Sequence, residues 1–272
     1  MRPAPGSGRH RRHSVTPINI FRSPSSDDTG SVAAGRATSR VSTMSYAITC
    51  PPVTTLPITG SPDVFPVRRI YCVGRNYAAH AREMGHDPDR EPPFYFMKPA
   101  DAILPGGSVM PYPSATSNLH HEIELVVGIG KTGRDIPVAR ALEYVFGYAV
   151  GLDMTRRDLQ GEAKEARRPW DMGKGFDCSA PCSAMAPAHD IGHPEEGAIR
   201  LKVNGEMRQE GDLDQLIWSV PEMISHLSNL VELVAGDLIY SGTPAGVGAV
   251  ERGDKLEGHV DGVGDLTITI GD

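Results

Sequence analysis

Residues 121–129 read His121-Glu122-Ile123-Glu124-Leu125-Val126-Val127-Gly128-Ile129. Ile123, Leu125, Val127 and Ile129 alternate with period two, so they line one face of a strand and point into a core. The other face runs Glu122, Glu124, Val126. Glu122–Ile129 is therefore read as a strand buried on both sides that carries two carboxylates at one end. Further on, Val145–Met154 begins with an uncharged run, VFGYAVGL, that reads as a second buried strand. It delivers a lone acid, Asp153, at its end.

Working outward, Arg69–Val73, Phe94–Met97, Asp237–Tyr240 and Leu266–Ile270 read as further strands. Ile199–Val203 and Met207–Gln209 flank Asn204-Gly205, a strong hairpin signal. Helices are few and short. Tyr77–Met84 has Asn76 as its N-cap and Gly85 as its stop. Pro137–Tyr144 has Pro in its first turn, and Pro221–Val231 is amphipathic. Asp158–Arg167 is charged and reads as a helix or a loop. Thirty Gly and 23 Pro, about a fifth of the chain against an average of ~12%, fit short strands and tight turns. The fold class is α+β, mostly β.

Charge divides the chain. Residues 1–43 hold seven Arg and two Asp, while the whole chain carries a net −7. The first 43 residues are rich in Ser, Pro, Gly and Arg without apolar periodicity, so they are expected to be a disordered N-terminal extension. They lack the amphipathic face of a transit peptide, and Met44 is read as the natural start. Residues 44–65, rich in proline, read as an extended lead-in, and 66–272 as the folded domain. The acidic remainder argues against a nucleic-acid partner. No run of eighteen apolar residues offers a membrane span. Cys50, Cys72, Cys178 and Cys182 are too few for a disulfide scaffold and read as thiols of a reducing compartment, the cytoplasm.

Two like charges at a buried strand end are costly unless something neutralises them. If Glu122, Glu124 and Asp153 converge, all-oxygen ligation selects Mg²⁺ or Mn²⁺, with Ca²⁺ a weaker match. The plain alternative is a solvated Glu-x-Glu face and an Asp in a turn. His120 and His121 precede Glu122 as ligands or as packing. His80 and Glu83 share a helix face. A carboxylate beside an imidazole orients a general base, although an ordinary surface ion pair has the same spacing. Lys174, between Gly173 and Gly175, is unpaired by local acids and suits either an oxyanion or a surface loop. Gly242-Thr243-Pro244-Ala245-Gly246-Val247-Gly248 is not a P-loop. It reads as a turn, or as a nest of N–H groups for an anion.

Taken in order, these blocks resemble the fumarylacetoacetate hydrolase family. The resemblance covers residues 68–272. It rests on Val73-Gly74-Arg75-Asn76-Tyr77-Ala78-Ala79-His80-Ala81-Arg82-Glu83, Phe96-Met97-Lys98-Pro99 and His121-Glu122-Ile123-Glu124-Leu125. It continues through Leu152-Asp153-Met154-Thr155-Arg156-Arg157-Asp158-Leu159-Gln160, Pro169-Trp170 with Lys174, Val203-Asn204-Gly205 and Gly242-Thr243-Pro244. Asp177-Cys178-Ser179-Ala180-Pro181-Cys182 departs from the family's commoner Asp-Thr-x-x-Pro-x-Gly.

The resemblance implies a mixed β-roll, a homodimer, and C–C bond chemistry on small 2-oxo or 2,4-dioxo acids at a Mg²⁺ or Mn²⁺ centre. It places Glu122, Glu124 and Asp153 as metal ligands and His80 with Glu83 as the pair that activates water, on a helix that acts as a lid. Lys174 faces the developing anion. Arg75, Lys98, Arg157, Gln160 and Thr243 sit around the α-keto acid end. Residues 65–77 and 167–174 are most like members that cleave fumarylpyruvate to fumarate and pyruvate in gentisate breakdown. Acylpyruvase and oxaloacetate decarboxylase chemistry are the alternatives, and a silent binding protein is a third. A fumaryl tail ends in a second carboxylate, for which Arg156, Arg167 and Arg168 are candidate partners.

Overall fold

Val145–Leu152 is buried from its third residue onward because it lies inside a sheet covered on both faces. In the computed structural model, which describes residues 46–83 and 91–272, this strand pairs antiparallel with Ile123–Ile129. The sheet continues on one side through Asp237–Tyr240, Arg69–Gly74 and Phe94–Lys98, and on the other through Ala180–Cys182 and Ile103–Pro105. Two of its pairings are parallel, Asp237–Tyr240 with Arg69–Gly74 and Ala180–Cys182 with Ile103–Pro105. The sheet is therefore mixed.

A second sheet of five strands has the order Glu206–Asp212, Ala198–Val203, Lys255–Val260, Gly264–Ile270, Val109–Met110. Its Ile199, Leu201, Leu256 and Ile268 share one core with Ile123, Leu125, Val127 and Ile129. The opposite face of the first sheet builds a smaller core from Cys72, Val126, Ala149, Leu238 and Tyr240. The strand read as two-sided is thus buried on both faces. At ~25 cal/mol per Å² of apolar surface, this burial is what holds the strand pair centrally. The fold is mostly β with short helices, as the sequence indicates.

Several elements differ from expectation. The strand begins at Ile123, and Glu122 stands at the joint with a separate strand, Leu119–His121, which belongs to a three-stranded sheet. Val138–Tyr144 is a 3₁₀ helix rather than an α-helix. Its rise of ~2.0 Å per residue, against ~1.5 Å for an α-helix, carries seven residues further toward the strand at Val145. The proline-rich lead-in contains a hairpin, Thr55–Pro57 with Val64–Pro66, because Leu56 and Phe65 pack into the smaller core. Arg157–Glu165 is a helix, which resolves the open reading there.

The compact unit runs from Pro51 to Asp272. Residues 46–50 are exposed, and the expectation of disorder over 1–43 lies outside the described residues. The helix expected to end at Gly85 is seen as Ala78–Glu83, its last expected turn also outside the described residues. No helix among the described residues is long and apolar enough to cross a membrane.

A buried carboxylate cluster as candidate metal centre

Glu122, Glu124 and Asp153 are brought within one ligand sphere, with an oxygen from each lying within 4.8 Å of the others. Three local facts place them. The chain leaves one sheet at Glu122. It enters the next at Ile123, where Gln209 Oε1 accepts from the Ile123 N–H (3.0 Å). The neighbouring strand ends at Leu152, and the Asp153 N–H donates to the Glu122 carbonyl (2.8 Å). All three side chains are at least nine-tenths buried.

Positive charge surrounds part of this cluster. Lys174 Nζ donates to Glu122 Oε2 (2.8 Å), Asp153 Oδ2 (2.7 Å) and Thr155 Oγ1 (2.7 Å). Arg157 Nη2 donates to Glu122 Oε1 (2.5 Å) and its Nη1 to Gln160 Oε1 (2.7 Å). Lys98 Nζ lies 2.8 Å from Asp153 Oδ1, but its aligned bonds go to the Met154 and Lys174 carbonyls. Asp153 Oδ1 is left buried without a hydrogen bond. Burial raises the pKa of Glu122, yet Lys174 and Arg157 outweigh it and hold the group below the ordinary carboxylate range. Glu124 is pushed well above that range by burial and by the charges of Asp153 and Glu122, against a single N–H from Gly242 (2.8 Å). Lys174 is held above the ordinary lysine value, because Asp153 and Glu122 outweigh the effect of its own burial.

A buried Asp153 oxygen without an aligned hydrogen bond and an uncompensated Glu124 are what a cation would satisfy. The all-oxygen donor set suits Mg²⁺ or Mn²⁺. The residues present therefore fit a metal ion. Neither histidine joins the set. His121 Nδ1 bonds Gln209 Oε1 (2.9 Å). His120 Nδ1 accepts from Arg157 Nε (3.4 Å), so its Nε2–H faces Asn118 Oδ1 (2.9 Å). Burial, then Arg157, pushes His120 down to about 4, so it is a neutral prop for that arginine.

The cluster floors a cleft of about 430 Å³. Arg75, His80, Arg157, Gln160, Lys174 and Thr243 line its walls. His80 sits on Ala78–Glu83 with Nδ1 3.1 Å from Glu83 Oε2. Glu83 is held in turn by the Gly246 N–H (3.1 Å). Lys98 and Glu83 stand behind the lining, supporting Asp153 and His80. The Gly242 and Gly246 N–H groups of the 242–248 loop thus face the chain's own carboxylates, Glu124 and Glu83.

Lys174 is unpaired by nearby acids, as its small neighbours suggested, but distant ones engage it completely. Asn76 does not cap the helix. Its amide donates to the Trp218 and Ser241 carbonyls (3.0 and 2.8 Å) and ties three loops together. Of the three distal arginine candidates, Arg156 stacks over Phe176 at 4.3 Å, and Arg167 and Arg168 are both exposed. Arg168 lines a second chamber beside the cleft.

Sequence reasoning missed four contributors. Phe96, Lys164 and Trp170 line the cleft. Buried Gln209 donates to Thr243 Oγ1 (2.8 Å) while accepting from Ile123, so it couples the metal-side joint to the loop. A glutamine in an amphipathic hairpin strand carries no local signal of that role. Lys164 Nζ lies 5.6 Å from the Trp170 ring, a contact between the helix and the turn beyond it that helix spacing does not signal.

The chain is similar to known proteins over most of its length. The fumarylacetoacetate (FAA) hydrolase C-terminal family matches residues 69–271. A crystal structure of fumarylpyruvate hydrolase from Pseudomonas aeruginosa in complex with Mn²⁺ and pyruvate is similar at TM-score 0.82 and 57% identity, covering 84% of this chain and 99% of that one. Fumarylpyruvate hydrolase of Ralstonia sp is 46% identical over 69% of this chain and 98% of that protein. The human mitochondrial oxaloacetate tautomerase FAHD1 is 46% identical over 75% of this chain and 91% of that protein. The chain belongs to the fumarylacetoacetate hydrolase family.

Proposed function

We propose that this protein hydrolyses a 2,4-dioxo acid at a divalent metal centre, with fumarylpyruvate as substrate and fumarate and pyruvate as products, in gentisate breakdown. One observation carries the reading. A buried three-carboxylate cluster faces a His80–Glu83 pair across one cleft, with Lys174 between two of the acids.

When bound by Glu122, Glu124 and Asp153, Mg²⁺ or Mn²⁺ supplies Lewis-acid charge for the 2-oxo-carboxylate end. Arg157, Gln160 and Thr243 orient that end. Glu83 can only accept, so His80 Nδ1 carries the ring proton and Nε2 presents its lone pair to the cleft. His80 takes a proton from water, and the hydroxide adds to the carbonyl two carbons beyond the 2-oxo carbon. The bond between that carbonyl carbon and the methylene breaks, and its electron pair goes to the enolate of pyruvate. Lys174, held among the acids by Glu122 and Asp153, adds positive charge near the developing enolate.

Mitochondrial oxaloacetate tautomerases at 46–47% identity favour a second reading, proton transfer on oxaloacetate without C–C cleavage. The test offers fumarylpyruvate, acetylpyruvate and oxaloacetate side by side with Mn²⁺. We expect fumarylpyruvate to turn over fastest, with pyruvate released. Oxaloacetate enol–keto conversion without pyruvate release from either dioxo acid would replace the hydrolase reading with the second.

A further inference from the structure

A second chamber of about 910 Å³ lies beside the carboxylate cleft, and Arg75, Phe96, Trp170 and Lys174 line both. The outer walls are aromatic. The Phe94 and Trp170 rings lie 4.9 Å apart edge to face, and the Phe96 and Trp170 rings 5.9 Å apart. The charge is one-sided. Among the described residues, no carboxylate lies within ion-pair distance of Arg75, Lys164 or Arg168. Asp171 shares the outer lining without pairing to Arg168.

Lys164 bears the mark of this crowding. Burial, and then the positive charges of Arg75 and Arg157, hold it below the ordinary lysine value. Arg157 and Lys174 are occupied by Glu122 and Asp153, so they balance the inner acids. Arg75, Lys164 and Arg168 are left over. Uncompensated cations along a concave, aromatic-walled path form a site for an anion carried on a flat carbon chain. A guanidinium pairs a carboxylate through two parallel N–H donors.

We propose that the outer chamber is a subsite for a second, terminal carboxylate of the substrate, with Arg168 as its specificity-determining residue and Phe96 and Trp170 flanking the chain between the two ends. The proposal rests on the preceding reading only in taking a 2-oxo acid at the inner end. Arg168 sits just beyond the Arg157–Glu165 helix, whose inner face carries Arg157, Gln160 and Lys164 toward the cleft. The helix thus faces the inner end of a ligand, and the turn that follows it presents the cation for the outer end.

The test reads binding rather than turnover. The Mn²⁺-loaded protein is titrated calorimetrically with 2-oxoheptanedioate and with 2-oxoheptanoate, which have equal length and differ only in the terminal carboxylate. Neither has a 4-oxo group, so neither is cleaved. The wild type is expected to bind the diacid about tenfold more tightly, the worth of one charge-assisted hydrogen bond. Arg168→Gln should reduce that ratio to within about threefold. Arg156→Gln should keep the ratio, because its guanidinium stacks on Phe176 outside the chamber.

Equal binding of the two acids by the wild type overturns the proposal. So does a ratio that survives in Arg168→Gln, or one lost in Arg156→Gln alone. These outcomes are independent of the hydrolysis assay. An absence of C–C cleavage together with an Arg168-dependent diacid preference would remove the proposed reaction and leave this subsite standing.

Discussion

Burying Glu124 beside Glu122 and Asp153 works against folding unless positive charge arrives, because like charges in a low-dielectric site cannot all ionise cheaply. Glu124→Ala should therefore abolish Mn²⁺ binding and metal-dependent turnover while keeping the wild-type circular dichroism. The loss should exceed the ~10–100-fold that outer partners of a metal site cost. Turnover near wild type would refute the ligand assignment. His80 stands apart from the metal donors, since its Nδ1 faces Glu83. His80→Ala should slow hydrolysis by about 10²–10⁴-fold, the usual worth of a positioned base, with Mn²⁺ affinity within about twofold of wild type. Parallel loss of both in one titration would make His80 structural instead. The pairing of His80 with Glu83 was legible from their spacing of three. The docking of Glu83 on Gly246 was not, because it joins positions far apart in the chain.

At the scale of elements, the 242–248 loop acts as a clamp. Gly246 has φ +96°, and a Cβ there would stand 2.2 Å from the Arg208 carbonyl oxygen. Gly246→Ala must shift the loop and unmoor Glu83. The expected results are a fall in kcat and a destabilisation of more than ~1 kcal/mol in urea melts. The Asn204-Gly205 turn provides the contrast. Gly205 has φ +81° with open space around it, so Gly205→Ala should cost only about 1 kcal/mol and leave kcat unchanged. If kcat falls in Gly205→Ala as it does in Gly246→Ala, the clamp is no more than general stability. The hairpin was readable because Asn-Gly settles its own backbone locally. The 3₁₀ form of Val138–Tyr144 and the side-chain role of Asn76 were not, because both answer to packing partners distant in sequence.

For the whole molecule, stability and metal binding are linked. A ligand that binds only the folded state adds RT ln(1 + [L]/Kd). Mn²⁺ at about 100-fold over its Kd should raise the melting temperature by roughly 5–10 °C, and chelator should reverse the shift. Glu124→Ala should show no shift, and a full shift in that variant would place the ion elsewhere. A second linkage runs through the core. Burial pushes the Cys182 thiol up to about 12. Its contribution is fully present below pH ~9, the ordinary thiol value, and is lost as pH rises toward 12. Urea melts at pH 8, 9.5 and 10.5 should show stability falling, with a shallower fall in Cys182→Ala. Equal slopes for the two proteins would show that the buried thiol does not drive the loss.

Local periodicity and backbone chemistry are written in short windows of the chain. They set the two-sided burial of Ile123–Ile129, the uncharged strand before Asp153, the Asn-Gly turn, the mostly β character, and the inventory of acids, bases and cations. The meeting of charges far apart in the chain is a matter of tertiary structure. Lys174 found its acids 52 and 21 residues away. Gln209 bridged the Ile123 joint to Thr243 across 86 and 34 residues. Arg168, rather than Arg156 or Arg167, came to line the outer chamber. The physical reason is that side-chain direction follows from the dihedrals of one residue, whereas a partner follows from how two sheets and a loop close on each other, and no window of the chain contains both.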